Sequence, residues 1–323
     1  MARSRQTQSY LRALFAQRGV APQHRFGQNF LIDLNIHDLI VKTAGVGPDD
    51  VVLEVGSGAG AMTTLMAATG AAVVAVDIDP AMVALTRAAT AGLPNVRVVC
   101  ADALAGKNTL NPEVLDHVRS GLAVAATRRL KLVANLPYNV ATPVVSNLLV
   151  HPELCPSKLV VTIQLELAER MRAAPSTAHY GALSVMVQAL AGMELVRVLP
   201  PSVFWPRPKV ESAVVAITPD PAKRAEVADL PWFHQIVRQV FMHRRKNLRG
   251  VLFSLWKHEQ ERGWTKPAVD ALLESLGLNG MIRAEAMNVE EFLSLADALR
   301  ARFGQGASSE TTHDEGEDDG GGV

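Results

Sequence analysis

The sequence predicts an α/β fold with a doubly wound parallel sheet, followed by a small C-terminal helical domain. Between residues 51 and 163, five short runs of apolar and β-branched residues alternate with helix-like segments. This alternation is typical of buried parallel strands whose connecting helices cover both faces of one sheet. After residue 219 the pattern changes to apolar residues at helical spacing.

The predicted strands are short and are separated by helical segments. We predict buried strands at residues 51–55, 72–76, 96–100, 131–134 and 159–163, and later strands at residues 195–199 and 212–218. Helices are expected between them, for example at residues 61–69 and 80–91. Four prolines restrict the backbone of residues 200–208, so this stretch should be an ordered loop.

The C-terminal part of the chain has the periodicity of helices. Residues 233–256 are helix-like, and residues 269–276 and 292–299 carry apolar side chains at i, i+3, i+4 and i+7. Asn288 and Glu291 form a capping-box pattern before the last of these helices. We therefore divide the chain into a flexible segment (1–25), a sheet domain (26–219), a helical domain (220–303) and a disordered acidic tail (304–323).

Composition excludes several classes of protein. No apolar run approaches the roughly 20 residues that a membrane span needs, and residues 1–25 lack the apolar centre of a secretion signal. The two cysteines, Cys100 and Cys155, have no metal-type spacing, so we expect a cytoplasmic protein without a metal site. Setting aside the six acids of residues 304–323 leaves 32 Lys and Arg against 26 Asp and Glu. This weak positive excess suits an anionic partner.

A glycine motif, EVGSGAG at residues 54–60, follows the first predicted strand and opens a helix. Glycines at such a place allow a sharp turn and a close approach of the backbone to a ligand, with Gly56 nearest to it. Position 61 is Ala, so a dinucleotide fingerprint, which needs a third glycine there, fits less well. The alternative is a purely structural turn.

Two carboxylates end the next two strands. Asp77 lies 21 residues after Gly56, where a carboxylate accepts hydrogen bonds from both hydroxyls of a ribose. Asp102 ends the third strand, where methyltransferases of this fold commonly bind the adenine amine of their cofactor. Asp79 competes with Asp77 for the ribose, but the following Pro80 favours a helix N-cap for Asp79.

The tetrapeptide Asn135-Leu136-Pro137-Tyr138 follows the fourth strand and is typical of enzymes that methylate an amine conjugated to a π system. The Asn135 side-chain oxygen and the Leu136 backbone carbonyl can each accept one N–H of an adenine N6. Two acceptors favour a pyramidal nitrogen whose lone pair points at the methyl donor. Tyr138 can stack on an extruded adenine. A plain turn is the alternative.

With these motifs in place, the chain resembles the ribosomal RNA adenine N6,N6-dimethyltransferase family, whose members dimethylate two adjacent adenosines near the 3′ end of small-subunit rRNA. The resemblance also rests on RFGQNFL at residues 25–31, YGALSV at 180–185, FWPRPKVESA at 204–213 and RRKNL at 244–248. These segments span about residues 24–300 in the expected order. Residues 106–129 look like an insertion, and Ala141 stands where Ser or Thr is expected.

The resemblance implies a fold, a cofactor and a partner. The sheet domain would be a Rossmann-like methyltransferase domain that uses S-adenosylmethionine, and the helical domain would bind RNA. The substrate would be rRNA within the 30S particle or its precursor, and the enzyme would act as a monomer.

The resemblance also implies roles for single residues. Asn29 and Leu31 would cover the cofactor site, with Gly56 at its methionine part, Asp77 at its ribose, Asp102 at its adenine and Asn135 beside it. Phe204 would be the second aromatic face against the target base, opposite Tyr138. A helix cap is the alternative for Asn29, and a core aromatic is the alternative for Phe204.

A basic stretch completes the expected surface. Residues 234–258 contain six Lys and Arg and no acid, which suits phosphate neutralisation. The expected RNA-binding residues are Arg244, Arg245, Lys246 and Arg249, with Arg207 and Lys209 as an extension beside the active site. A solvated charged face is the alternative.

Three other functions remain open on the sequence alone. They are a large-subunit rRNA adenine methyltransferase of the antibiotic-resistance type, a non-catalytic assembly or RNA-binding factor on the same fold, and an NAD dehydrogenase. The motifs of the helical domain disfavour the first. The second is disfavoured by the intact Asn135, Tyr138, Asp77 and Asp102. The glycine spacing and the 135–138 tetrapeptide disfavour the third.

Overall fold

The computed structural model describes residues 7–106 and 109–304. Its centre is a seven-stranded sheet whose strands are β1 (Asp50–Val55), β2 (Ala72–Asp77), β3 (Val96–Cys100), β4 (Arg129–Asn135), β5 (Lys158–Gln164), β6 (Ala191–Leu199) and β7 (Ser212–Pro219). The order across the sheet is β3-β2-β1-β4-β5-β7-β6. Neighbours pair in parallel, except that β7 is antiparallel to both β5 and β6. The predicted α/β class is confirmed.

Helices cover both faces of the sheet and continue beyond it. They are α1 (Gln8–Arg18), α2 (Leu34–Ala44), α3 (Ala61–Ala67), α4 (Pro80–Ala89), α5 (Pro112–Leu122), α6 (Ala141–Val150), α7 (Leu165–Arg172), α8 (Ala182–Leu190), α9 (Pro221–Glu226), α10 (Leu230–Met242), α11 (Leu248–Leu255), α12 (Lys266–Ser275) and α13 (Val289–Phe303). Single 3₁₀ turns occur at His24–Phe26, Pro201–Val203 and Ala284–Ala286, and a longer one at Lys257–Arg262. Throughout the described ranges, no helix combines the length and the apolar character that crossing a membrane requires.

Strand β3 departs from the expectation that it is buried. Its outer side is the edge of the sheet, and only Val99 of its five residues is buried. The central strand β1, by contrast, is buried at every position because β2 and β4 pair with it on either side. Position in the sheet decides burial here, since both sequences are similarly β-branched.

The N-terminal segment is not uniformly flexible, which corrects our expectation for residues 8–18. These residues form α1, which Thr7 caps and Gly19 ends in the left-handed region. Leu11 and Phe15 are buried against Ala59 of the glycine motif. Two apolar side chains four residues apart are enough to dock a short helix, although the segment as a whole is polar. The acidic tail at residues 305–323 lies outside the described residues.

The apparent insertion at residues 106–129 contains a crossover helix. Helix α5 connects β3 to β4 and buries Val114, Leu115 and Val118. Parallel strands require such a crossover, so much of this stretch is part of the sheet architecture. At Gly121 a methyl group would lie 3.0 Å from Val51 Cγ1, so glycine allows α5 to approach β1 closely.

The helical region differs from expectation at one place. The predicted helix-like stretch 233–256 is broken into α10 and α11, because Asn247 caps α11 by accepting a hydrogen bond from the Gly250 amide. The capping box of Asn288 and Glu291 is present at α13. One buried cluster runs from the sheet into these helices, and a domain boundary at residue 219 stays a prediction.

Candidate active site

A cleft of about 800 Å³ opens at the carboxyl ends of the central strands, partly to solvent. Ligands bind at this edge of open α/β sheets because strand order reverses between β1 and β4 there. The cleft is lined by residues of the 25–31 segment, the glycine motif, both strand-end acids and the tetrapeptide, namely Phe26–Phe30, Val55, Gly56, Gly58, Val76–Ile78, Ala101–Ala103 and Asn135–Val140. Motifs up to about 110 residues apart in sequence therefore meet at one place, as the sequence predicted.

Position 56 requires a glycine because the tetrapeptide lies directly against it. Its φ of +80° is in the left-handed region, and a Cβ there would lie 2.9 Å from Pro137 Cδ. Its amide donates to the Val76 carbonyl at 2.8 Å. Any side chain at position 56 would push the tetrapeptide away and fill the cleft.

Asp77 lies in the cleft with both carboxylate oxygens partly used. Oδ2 accepts from the Gly58 amide at 2.9 Å, and Oδ1 accepts from the Asp79 amide at 3.0 Å. Burial raises the pKa of Asp77 to about 6, against the opposing effect of these two hydrogen bonds. Each oxygen keeps a second lone pair, so the carboxylate can still accept from two hydroxyls.

The competitor Asp79 has a structural role. Its Oδ1 accepts from the Ala81 amide and caps α4, as predicted. Its Oδ2 accepts from Gln28 Nε2 at 2.9 Å, which ties the 25–31 segment to the start of α4. Gln28 lies within the 25–31 motif, but its residue type alone does not predict this contact.

Asp102 lines the cleft and is exposed. Its Oδ1 accepts from the Leu104 amide at 2.9 Å, while its backbone carbonyl accepts from Asn111 Nδ2 at 2.8 Å. These bonds hold the carboxylate at the strand end. Ile78 exposes 43% of its surface nearby and offers an apolar face for a planar ring.

Glu54 is a buried acid that sequence reasoning passed over. Burial raises its pKa to about 8, with the charge of Asp77 adding to the rise, and Thr63 Oγ1 donates to its Oε2. Glu54 is therefore protonated at neutral pH. A neutral Glu54 leaves Asp77 as the charged group of this pair.

Asn135 is oriented by the 25–31 segment. Its Nδ2 donates to the Asn29 backbone carbonyl at 2.9 Å, so Oδ1 is the atom of the amide that remains to accept from a substrate. The Asn29 side chain donates to the Gly27 carbonyl, which fixes the turn that presents that acceptor. The cap of α2 is Asp33, so the helix-cap alternative for Asn29 is wrong.

Tyr138 is held by a residue from the other end of the sheet. Its hydroxyl shares a 2.8 Å hydrogen bond with Ser212 Oγ, and Ser212 is fully buried at the start of β7. Burial raises the pKa of Tyr138, so the phenol stays protonated. Ser212 belongs to the 204–213 motif, but nothing in the sequence showed that it would reach Tyr138.

Two expected site residues do not line the cleft. Phe204 is 1% exposed and Leu31 is 4% exposed, and both belong to the cluster between the sheet and α2. Their backbones pair with each other in a two-residue ladder, with Phe30 opposite Trp205. In this structure Phe204 is a core aromatic, and its expected role against the target base stays a prediction.

The helix α6 begins without a side-chain cap. Ala141 is buried at its first position, and Val140 before it makes no capping hydrogen bond. Ala141 lacks the hydroxyl that the expected Ser or Thr would bring to this end of the helix. The Leu136 amide is instead bonded to the Thr162 carbonyl at 3.1 Å, which steadies the tetrapeptide from β5.

The four expected RNA-binding residues divide into two pairs. Arg244 donates to Glu285 at 2.9 Å and to the Ala178 carbonyl at 3.0 Å, and Arg249 donates to Asp270 at 2.5 Å. Arg245 and Lys246 are exposed in the turn between α10 and α11. Arg244 and Arg249 thus hold elements together, whereas Arg245 and Lys246 present their charges to solvent.

The cleft fits S-adenosylmethionine. The cradle at Gly56, which a Cβ would fill, leaves room at the centre of the site. Asp77 would accept from the ribose hydroxyls, Asp102 from the adenine amine, and Ile78 would lie against the adenine ring. Such a cofactor supplies an electrophilic methyl group on a sulfonium. The oriented Asn135 oxygen would stand beside that group.

Comparisons with known proteins show the family of this chain. The family model described as ribosomal RNA adenine dimethylase matches residues 21–299. The chain is 38% identical to ribosomal RNA small subunit methyltransferase A of Lactiplantibacillus plantarum, over 89% of this chain and 93% of that protein. It is 36% identical to the protein of the same name from Moorella thermoacetica, over 89% of this chain and 96% of the other.

Solved structures share the fold. A dimethyladenosine transferase from Plasmodium falciparum superposes with a TM-score of 0.66 at 24% identity, covering 81% of this chain and 94% of that one. The 23S rRNA methyltransferase ErmE gives a TM-score of 0.54 at 26% identity, over 84% and 99% of the two chains. With its motifs gathered in one cleft and the family model spanning nearly its whole length, the chain belongs to the ribosomal RNA adenine dimethylase family of S-adenosylmethionine-dependent methyltransferases.

Proposed function

We propose that this protein dimethylates N6 of two adjacent adenosines near the 3′ end of small-subunit (16S) rRNA during assembly of the small ribosomal subunit. The observation that carries the proposal is the side-chain amide of Asn135 in the cleft. Its nitrogen donates to the Asn29 carbonyl, so its oxygen is the atom that would accept from a substrate amine. The names of the relatives at 36–38% identity support the small subunit as the substrate. The protein would act as a cytoplasmic monomer.

The reaction requires a better nucleophile than a planar adenine amine. Asn135 Oδ1 accepts one N6–H and the Leu136 carbonyl accepts the other, which favours a pyramidal nitrogen with its lone pair toward the methyl group. These acceptors gain strength as positive charge develops on N6 in the transition state. The proton then leaves for solvent, because an N-methylated adeninium is acidic and needs no strong base.

The target base must leave its stack before it can react. Tyr138 lines the cleft within the tetrapeptide and can stack on that base while Ser212 fixes the ring. Tyr138 needs only its π face for this role, which agrees with a phenol whose pKa is raised. A second methylation follows the same geometry, since the monomethylated amine retains one N–H for Asn135 to accept.

Methyl transfer from labelled cofactor to isolated ribosomal subunits tests the proposal. Small subunits that lack the modification should gain about four methyl groups each, and nucleoside mass spectrometry should identify N6,N6-dimethyladenosine. Protein-free 23S rRNA serves as the competing substrate, because ErmE shares the fold. Transfer only to 23S rRNA would indicate the large-subunit activity, and no transfer to either would indicate a non-catalytic binding factor.

A further inference from the structure

The N-terminal part of the chain is basic because it contains arginines and no acidic residues. Residues 1–32 contain five arginines and neither an acidic residue nor a lysine. Three of these arginines, Arg12, Arg18 and Arg25, lie in the described part of the chain and are exposed. Arg12 and Arg25 are of interest here because their guanidinium groups lie over aromatic rings. Within that part, neither has a carboxylate partner among the ion pairs, which are formed by other residues.

Both guanidinium groups lie over aromatic rings at cation–π distance. The Arg12 guanidinium lies 5.7 Å from the centre of the Trp205 ring, and that of Arg25 lies 4.5 Å from the centre of the Phe26 ring. Arg25 Nε also donates to Gln23 Oε1 at 2.9 Å. A cation–π contact limits the motion of a guanidinium but does not use its N–H donors, which remain available for binding phosphate.

The two rings lie beside the active-site cleft. Phe26 lines it directly, and Trp205 packs against Phe30, which also lines it, with ring centres 6.3 Å apart. Phe15 of α1 contacts both Phe30 and Trp205 edge-on, at 5.2 and 5.5 Å. Helix α1 is thereby fixed to the wall of the cleft.

We infer that Arg12 and Arg25 form an RNA-binding rim on the N-terminal side of the cleft, which binds the phosphates that flank the target adenosine. This inference rests on the proposed function and adds a second contact surface to it, separate from the turn that carries Arg245 and Lys246. An extruded base leaves its phosphates at the mouth of the pocket, where fixed cations are needed to hold them. A guanidinium that is already ordered loses less conformational entropy on binding than a free one.

The test compares the variant Arg12→Gln/Arg25→Gln with Arg12→Lys/Arg25→Lys, which keeps both charges. Binding to small subunits is measured over a range of salt concentrations, and cofactor binding is measured by calorimetry. The glutamine variant should bind about tenfold more weakly at physiological salt, with a log–log salt slope shallower by about two units. The lysine variant should keep the slope, and both should bind the cofactor within about twofold of wild type.

Arg302→Gln is the matched control, because the Arg302 guanidinium also lies over an aromatic ring, that of Trp264, at 5.1 Å, in the helical region. It should change neither the salt slope nor the affinity for subunits. A glutamine variant with the wild-type slope overturns the inference, whether or not its cofactor affinity falls, because the arginines then serve only to hold the segment. Failure of the proposed function is a separate result, since the wild-type protein would then form no dimethyladenosine.

Discussion

Asn135 Nδ2 and the backbone carbonyl of Asn29 are joined by a 2.9 Å hydrogen bond across 106 residues of sequence. The bond links the tetrapeptide to the 25–31 segment, and both line the cleft. It leaves the Asn135 side-chain oxygen as the acceptor of that amide. Under the proposed function, this one side chain would both accept from the target amine and hold the 25–31 segment in place.

Asn135→Ala should lower methyl transfer by about 10²-fold or more, because it removes an acceptor whose contribution is greatest in the transition state. Cofactor affinity should fall less. Labelled-methyl transfer under single-turnover conditions and calorimetry measure the two effects. Asn147→Ala is the control, since Asn147 also donates to a backbone carbonyl, that of Pro143 in α6, and should leave turnover unchanged. Wild-type turnover in Asn135→Ala would refute the assignment.

The Tyr138–Ser212 hydrogen bond should contribute measurably to kcat. Tyr138→Phe and Ser212→Ala should each lower kcat by about 2- to 10-fold, the range expected for one hydrogen bond. The double variant should be no slower than the slower single variant, because both changes remove the same bond. Additive losses would show that Ser212 acts independently of the tyrosine.

Gly56→Ala should impair both cofactor binding and turnover, because the new Cβ meets Pro137 at 2.9 Å. Gly92→Ala is a matched control: its φ is +83° against +80° for Gly56, yet nothing lies within 4 Å of its Cβ position. Both alanines cost about 1–2 kcal/mol of folding free energy through the left-handed backbone. Only the Gly56 variant should lose activity once both are assayed below their melting temperatures. Equal activities of the two variants would mean that the tetrapeptide shifts to accommodate the new methyl group without loss of function.

Cofactor affinity should depend on the ionisation of Asp77. Its pKa is about 6 in the folded protein, so the charged acceptor forms as pH rises through about 6, and the dissociation constant should fall over that range. Asp77→Asn should bind the cofactor weakly at every pH and lose this dependence. Calorimetry from pH 5 to pH 8 makes the comparison. A wild-type dissociation constant that is flat with pH would exclude Asp77 as the ribose acceptor.

The same pKa predicts an effect on stability with a definite sign. Asp77 ionises at 3.8 when unconstrained and at about 6 in the folded state, so between these values the folded state binds more protons than the unfolded state. The free energy of unfolding should therefore fall as pH rises from about 4 to about 6 because of this group. Asp77→Asn cannot ionise and should lack this component in urea unfolding. A difference between the two proteins that grows in the wild type's favour with pH would contradict the assignment.

The basic stretch should separate into structural and RNA-binding parts. Arg244→Gln breaks contacts with Glu285 and Ala178, and should lower the melting temperature by about 2–4 °C for a loss near 1 kcal/mol. Arg245→Gln/Lys246→Gln should leave the melting temperature unchanged and should flatten the salt dependence of subunit binding by about two log–log units. The reverse pattern, in which Arg245 and Lys246 set stability and Arg244 sets the salt slope, would overturn this division.

The sheet could be predicted because each strand is a local run of apolar residues. The cleft could be predicted because the motifs follow parallel strands, whose carboxyl ends lie at the same edge of a sheet. The sequence did not predict that β3 is an exposed edge, because strand order is a property of the whole sheet. The docking of α1 rests on only two apolar residues, Leu11 and Phe15, within a polar segment. The partners of Tyr138 and Arg244 were also missed, because each lies on a different element and no local pattern records such a contact.

The ladder between Phe30–Leu31 and Phe204–Trp205 has a consequence for synthesis on the ribosome. The glycine motif, both acids and the tetrapeptide are all complete once residue 138 has emerged. The residues that pair with the 30–31 segment, and the hydroxyl that is hydrogen-bonded to Tyr138, emerge only with residues 204–212. A nascent chain that ends before residue 204 therefore carries every residue that lines the cleft, but it lacks both of these supporting contacts.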